Sequence, residues 1–89
     1  MKVIGKIERT GGEIRIILSE WKSQTYCDIR LWYEKDGQFH PTTKGLRFNA
    51  ELLPEFIEAL QEAEAALERG EEIGGTKEAE KYENIRERG

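Results

Sequence analysis

The sequence predicts an α+β fold of four antiparallel strands followed by one C-terminal helix, in the order β-β-β-β-α, and two observations carry that prediction. From residue 2 to residue 48 the chain alternates in the two-residue period of strands and is broken by Gly11-Gly12 and Asp36-Gly37, dipeptides that permit the positive φ of tight hairpin turns. After Asn49 the period changes, and Leu53, Phe56, Ile57, Leu60 and Leu67 recur at three- and four-residue spacing, the stripe of an amphipathic helix.

Each element follows from its residues. "KVIGKIERT" (2–10) alternates and runs into Gly11-Gly12, giving a first strand and turn. "EIRIILSEW" (13–21) is rich in β-branched residues and reads as a second strand, bending at "KSQ" (22–24) into a third, "TYCDIRLWYE" (25–34). Beyond Asp36-Gly37 the segment "QFHPTTKGLRF" (38–48) contains Pro41, which lacks a ladder donor, and Gly45, so a fourth strand here must be irregular or lie at an edge. Asn49 is a good N-cap for a helix over about 50–69. Pro54 leaves two options, a loose first turn or a regular helix that begins at Pro54. Gly70 ends it. The helix should cover one sheet face and leave the other bare. The domain is thus expected at 1–69, with 70–89 a charged, flexible tail that has a marginal helix after Thr76.

Composition excludes several classes of function. No apolar run is long enough to cross a bilayer, and the start "MKVIGKIERT" lacks the apolar stretch of a signal peptide, so a cytoplasmic protein without a membrane partner is expected. One Cys27 and one His40 make no zinc site and no internal disulfide. His40 sits between Phe39 and Pro41 with no pattern linking it to Cys27 or a serine, and no phosphate-cradling glycine motif is present. A non-enzymatic protein without a cofactor is the expectation. With 89 residues the chain is one domain at most, and so small a core makes a partner protomer a natural source of further burial. The net charge of −4 hides an asymmetry: residues 1–48 carry nine basic against six acidic residues, and residues 49–89 carry five against twelve. Such a division points to a polyanion-binding face on one side of an acidic protein.

The sharpest signal lies in "EWKSQTYCDIRLWYEKDG" (20–37). Alternation puts Cys27, Ile29 and Leu31 on one face of the third strand and Tyr26, Asp28, Arg30 and Trp32 on the other, with Trp21 and Lys22 at the preceding bend. Taken singly, each aromatic suits a small core. Interleaved with cations on a face the helix does not need, they suit single-stranded nucleic acid: flat rings stack bases and cations follow the backbone.

These residues resemble a known family. "IGK" (4–6), "EWK" (20–22), "DIRLWYEKDG" (28–37), Pro41, "KG" (44–45) and the helix opening "NAELLPEFIEAL" are similar to the C-terminal domain of the transcriptional coactivator positive cofactor four (p15), above all to its short bacterial members, over about residues 4–67. The resemblance implies a homodimer of curved four-stranded sheets with one helix each, which holds single-stranded DNA in grooves of the sheet surfaces. It implies that Trp21 is the stacking aromatic at the bend, Lys22 the cation beside it, Arg30 the strand arginine, and Lys44 with Gly45 the family's Lys-Gly. A second stacking aromatic falls on Tyr33 when counted from Asp-Ile-Arg and on Trp32 when counted back from Gly37; strand alternation favours Trp32, which shares a face with Arg30. Lys6 and Arg47 are further candidate phosphate contacts. Where the animal protein has additional basic residues this chain has Ser19, Gln24, His40 and Thr43, which implies a lower affinity or a distinct bacterial pattern.

The reading that results is a homodimeric single-stranded DNA-binding protein with little sequence preference, serving transcription, with the transcription machinery as a further partner, or the protection of exposed strands. The alternative is a protein-interaction dimer, or an RNA binder, that uses the same aromatic face. No group in the sequence is marked as a reader of the RNA 2′-hydroxyl.

Overall fold

The computed structural model describes residues 1–75. Two compact units are present, one spanning Met1–Glu58 and one beginning at Ala59. The first contains β1 (Lys2–Arg9), β2 (Gly12–Trp21), β3 (Gln24–Lys35) and β4 (Gln38–Asn49), a turn of 3-10 helix over Ala50–Leu52, and the start of α1 (Leu53–Glu68). The strands form one open, curved antiparallel sheet in the order β1-β2-β3-β4. The expected β-β-β-β-α order is the one observed, with β4 at an edge as its Pro41 requires.

The turns explain the register. Lys22 and Ser23 both adopt positive φ (50° and 63°), as do Asp36 and Gly37 (54° and 76°). Two consecutive left-handed residues are the signature of the turn whose twist matches that of the strands it joins. The bend expected at 22–24 is therefore a two-residue hairpin loop, and β3 begins at Gln24. From Gly12↔Tyr33 to Trp21↔Gln24, β2 and β3 pair without interruption. The outer strands each carry an irregularity. In β1, Ile4 is the extra residue between Val3↔Ile17 and Gly5↔Ile16. In β4, Thr42, Thr43 and Lys44 lie between Pro41, opposite Trp32, and Gly45, opposite Arg30.

Because alternate residues face opposite ways, the register sorts side chains into two faces. Ile14, Ile16, Leu18, Cys27, Ile29, Leu31, Leu46 and Phe48 share the apolar face. Cys27 and Phe48 are buried there, and the Phe48 ring stacks on Phe56 of α1 with centroids 4.1 Å apart. Burial of Cys27 raises its thiol pKa, and the nearby Asp28 charge adds to the effect. The thiol is a small hydrophobe there, held in the form that does not attack.

Helix entry lies between the two options left by Pro54: the chain makes one 3-10 turn over Ala50–Leu52 and the regular α-helix begins at Leu53, one residue before Pro54, which therefore falls where a missing N–H harms no ladder. Asn49 Oδ1 accepts from the Glu51 N–H at 3.0 Å, and Asn49 Nδ2 donates to Gln24 Oε1 at 2.7 Å. In the second unit the helix closes on Gly70 (φ 69°), whose N–H donates to Leu67 O while the Glu71 N–H donates to Ala66 O, each at 3.1 Å. This paired return of two orphan carbonyls is a Schellman cap, and it requires the left-handed residue that glycine supplies. The Arg69 guanidinium beside this cap meets Glu62 at 2.8 Å and also Glu71. The marginal helix expected after Thr76 lies outside the described residues.

Asn49→Ala should lower unfolding free energy by about 0.5–2 kcal/mol, the usual value of a helix N-cap. Asn49→Asp, which keeps the accepting oxygen, should recover most of that loss in urea denaturation.

Candidate nucleic-acid interface

The face opposite Cys27 and Phe48 gathers Lys6 of β1, Glu13, Arg15, Ile17, Ser19 and Trp21 of β2, Gln24, Tyr26, Asp28, Arg30 and Trp32 of β3, and Phe39, Gly45, Arg47 and Asn49 of β4. Four cation–aromatic contacts, made by three cations, run along it. The Lys22 ammonium lies 4.5 Å from the Trp21 ring centroid, and the Arg47 guanidinium 4.6 Å from that of Tyr26. The Arg15 guanidinium sits 4.5 Å from Trp32 and 4.7 Å from Phe39. A cation over a ring face is attracted by the ring quadrupole, so each pair keeps an aromatic plane and a positive charge together before any ligand arrives.

The pairs differ in openness. Trp21 is 57% exposed and occupies the end of β2 at the hairpin loop, which leaves its plane accessible. Trp32 is half-buried and capped by Arg15. Its indole N–H is buried and has no hydrogen-bond partner among the described residues, so the ring is kept in place by packing. Between the two candidates for a second stacking aromatic, Trp32 shares the face of Arg30, whereas Tyr33 is on the apolar face, its ring centroid 5.2 Å from that of His40. Ile17 is buried although it belongs to the charged face. Its same-face neighbours by register include Arg15 and Asp28, and the aliphatic stem of an arginine covers apolar surface while its head stays polar.

The cations are also unequal in their charge balance. Arg30 donates from Nε and Nη2 to the two oxygens of Asp28, at 3.0 and 3.2 Å, and from Nη1 to Thr42 O at 2.9 Å. That guanidinium is a structural brace for the β4 bulge, which Thr42 Oγ1 completes by donating to Leu31 O (2.7 Å) and accepting from the Lys44 N–H (3.1 Å). Arg15 Nε donates to Glu13 at 2.6 Å, and Lys6 Nζ is 3.9 Å from the same carboxylate oxygen. Lys44 is exposed in the bulge, and neither it nor Lys22 or Arg47 makes an ion pair with any described residue. Gly45 has a packing reason of its own: a Cβ there would stand 2.7 Å from the Arg30 Cα and Ile29 O.

Of the residues singled out in the sequence, Lys6, Trp21, Arg30, Trp32, Gly45 and Arg47 thus lie on one face, Lys22 joins them over Trp21, Lys44 sits in the adjacent bulge, and Tyr33 lies on the other face. Two residues of this face, Arg15 and Phe39, were missing from the candidates, while Tyr26 was placed on it by alternation without a role of its own. The length of the loop at 22–23 carries the signal for Arg15, because a two-residue hairpin aligns Arg15 with Arg30. No group of His, Cys, Asp and Glu suited to a metal ion occurs among the described residues. None of the described helices is long and apolar enough to cross a membrane.

An open four-stranded sheet with rings and cations on one face and a helix following its last strand defines a small β4α domain. The chain belongs to the Transcriptional Coactivator p15 (PC4) family, whose model matches residues 9–59. It is similar to a PC4 homologue from Burkholderia pseudomallei K96243, with 32% identity and a TM-score of 0.65 over 71% of this chain and 88% of that one. It is also similar to MoSub1 in a complex with single-stranded DNA, at 27% identity and a TM-score of 0.52, over 78% of this chain and 83% of that one. A second MoSub1–DNA complex, at 23% identity and a TM-score of 0.50 over 79% of this chain and all of that one, shares the fold. The curated proteins contain no match.

Gly45→Ala should destabilise the fold by about 1–3 kcal/mol, the range for forcing extra atoms into a packed site. The loss should appear in the thermal midpoint whether or not a nucleic acid is present.

Proposed function

We propose that the protein is a homodimeric single-stranded DNA-binding protein with little sequence preference, which holds the strand along the face bearing Trp21, Tyr26 and Trp32. The observation that carries this reading is the row of cation–aromatic contacts on one sheet face, with the exposed Trp21 at its end. Rings stack any base, and cations meet the phosphates that every strand has, so neither contact selects a sequence. The MoSub1–single-stranded DNA complex is a relative with the same fold and such a ligand, which supports DNA over a peptide. The role is that of a binding protein in transcription or in handling exposed strands, without catalysis.

The dimer is argued from burial. Among the described residues the buried apolar side chains are Ile17, Cys27 and Phe48, a small core for a sheet of this width. Ile7 and Leu46, both on the apolar face by register, are 54% and 48% exposed, and Leu52 and Ile57 are exposed as well. A second copy would cover these residues and supply the burial that one chain lacks. Sedimentation at micromolar concentration should give about twice the 10.3 kDa chain mass, and a persistent monomer at much higher concentration would overturn the dimer.

Lys22, Lys44 and Arg47 are the cations placed to meet phosphates without leaving a carboxylate. Three such contacts predict that log affinity for oligo-dT falls against log salt with a slope of about −2 per occupied face. Trp21→Ala should weaken binding by about 1–3 kcal/mol and leave both this slope and the thermal midpoint unchanged, since stacking releases no counterions. Quenching of tryptophan fluorescence by oligo-dT reads the same contact directly. A slope near zero with no quenching would replace the nucleic-acid reading with that of a peptide-binding module.

A further inference from the structure

Glu13 is a charged residue where the sheet face would be expected to keep its cations open. It is 8% exposed, the buried charged residue among those described, and it lies on the face of Arg15, Arg30 and Trp32. One of its oxygens takes the Arg15 Nε at 2.6 Å and has the Lys6 ammonium 3.9 Å away. Arg15 is at the same time fixed over Trp32 and Phe39. The carboxylate of Glu13 therefore stands in the relation to two cations that a phosphate oxygen of a bound strand would have. Glu8, directly across the strand pair, holds no cation among the described residues.

We propose that Glu13 is an internal competitor of the nucleic-acid phosphate: it occupies Arg15 and Lys6 in the free protein, keeps the Trp32–Arg15–Phe39 stack assembled, and sets the affinity below what the cations of this face would otherwise give. The inference rests on the reading of this face as a polyanion site. Its physical basis is that carboxylate and phosphate are alternative acceptors for the same charge-assisted donors. A strand gains Arg15 or Lys6 only by displacing an ion pair already formed, so these two cations contribute little to the net salt dependence. Glutamine in place of Glu13 keeps a hydrogen-bond acceptor for Arg15 and removes the competing charge.

The test is oligo-dT binding to the full chain as a function of sodium chloride concentration, in wild type, Glu13→Gln and Glu8→Gln. A wild-type slope near zero would remove the polyanion reading itself. Given a wild-type slope of about −2, release of one or two cations in Glu13→Gln should steepen it by about 0.7–1.4 and tighten binding at 0.1 M salt by about 5- to 25-fold. Glu8→Gln removes the same charge from the same end of the sheet and should leave the slope at the wild-type value. Lys6→Gln added to Glu13→Gln should return about 0.7 of the gained slope. Glu13→Asp, whose shorter side chain loosens the hold on Arg15 without a change of net charge, should give an intermediate slope and keeps the test open if Glu13→Gln does not fold. Equal effects of Glu13→Gln and Glu8→Gln, or no steepening in either Glu13 variant, would overturn the proposal and leave Glu13 as a structural anchor of the stack.

Discussion

The unbroken ladder between β2 and β3 is the constraint on which the rest of the sheet depends. Ten residues of one strand meet ten of the other with no bulge, from Gly12↔Tyr33 to Trp21↔Gln24. A slip of one residue would send Cys27 to the charged face and Arg30 to the apolar one, because side chains alternate with a period of two. The two-residue loop at Lys22-Ser23 fixes that register at one end. At the other end the ladder continues past the strand, as the Glu34 N–H donates to Gly11 O at 3.0 Å, and Gly12 admits the Trp32 carbonyl at a distance no Cβ would tolerate. The irregularities are confined to the outer strands, where a bulge alters local direction without displacing the central register.

That frame turns a chain of net negative charge into one with a cation-bearing face. The basic residues of this face and its flanking turn and bulge fall into two groups, those engaged by carboxylates (Arg15, Arg30 and Lys6) and those that pair with no carboxylate among the described residues (Lys22, Arg47 and Lys44). The first group contributes order. Arg30 ties β3 to the β4 bulge through Asp28 and Thr42, and Arg15 ties β2 to the aromatic pair Trp32 and Phe39. Counting basic residues in a sequence does not distinguish these groups, since both look alike until the register is known.

Much of the fold was legible in the residues because local signals agreed with one another. Alternation, the glycine-bearing turns, Pro41 at an edge, Asn49 as cap and Gly70 as stop each specified an element that is present. The two faces of β3 were legible for the same reason. The burial of Glu13, the bracing of Arg30 by Asp28, and the stack of Arg15 between Trp32 and Phe39 were not, because they depend on which residues of three strands come opposite one another. Pro41 and Gly45 mark the fourth strand as irregular or an edge, and it is both, but no alternation pattern announces where its bulge at Thr42–Lys44 falls, nor the extra residue at Ile4. The sequence marks Gly45 as a break in strand regularity and as part of a Lys-Gly pair, but only the structure shows that the close approach of Arg30 and Ile29 demands glycine there.

The loop that bears Lys22 and Ser23 holds two side-chain-bearing residues in the left-handed region, a conformation that disfavours L-residues by roughly 1–2 kcal/mol each. Glycine at either position would relax the backbone. At Lys22 it would also remove the ammonium that rests on Trp21, and it would enlarge the unfolded ensemble that folding must restrict. This turn is thus a compromise between conformational ease and a pre-aligned charge. Evolution toward a more thermostable chain would meet resistance at Lys22, whereas Ser23, which makes no such contact among the described residues, is free to yield.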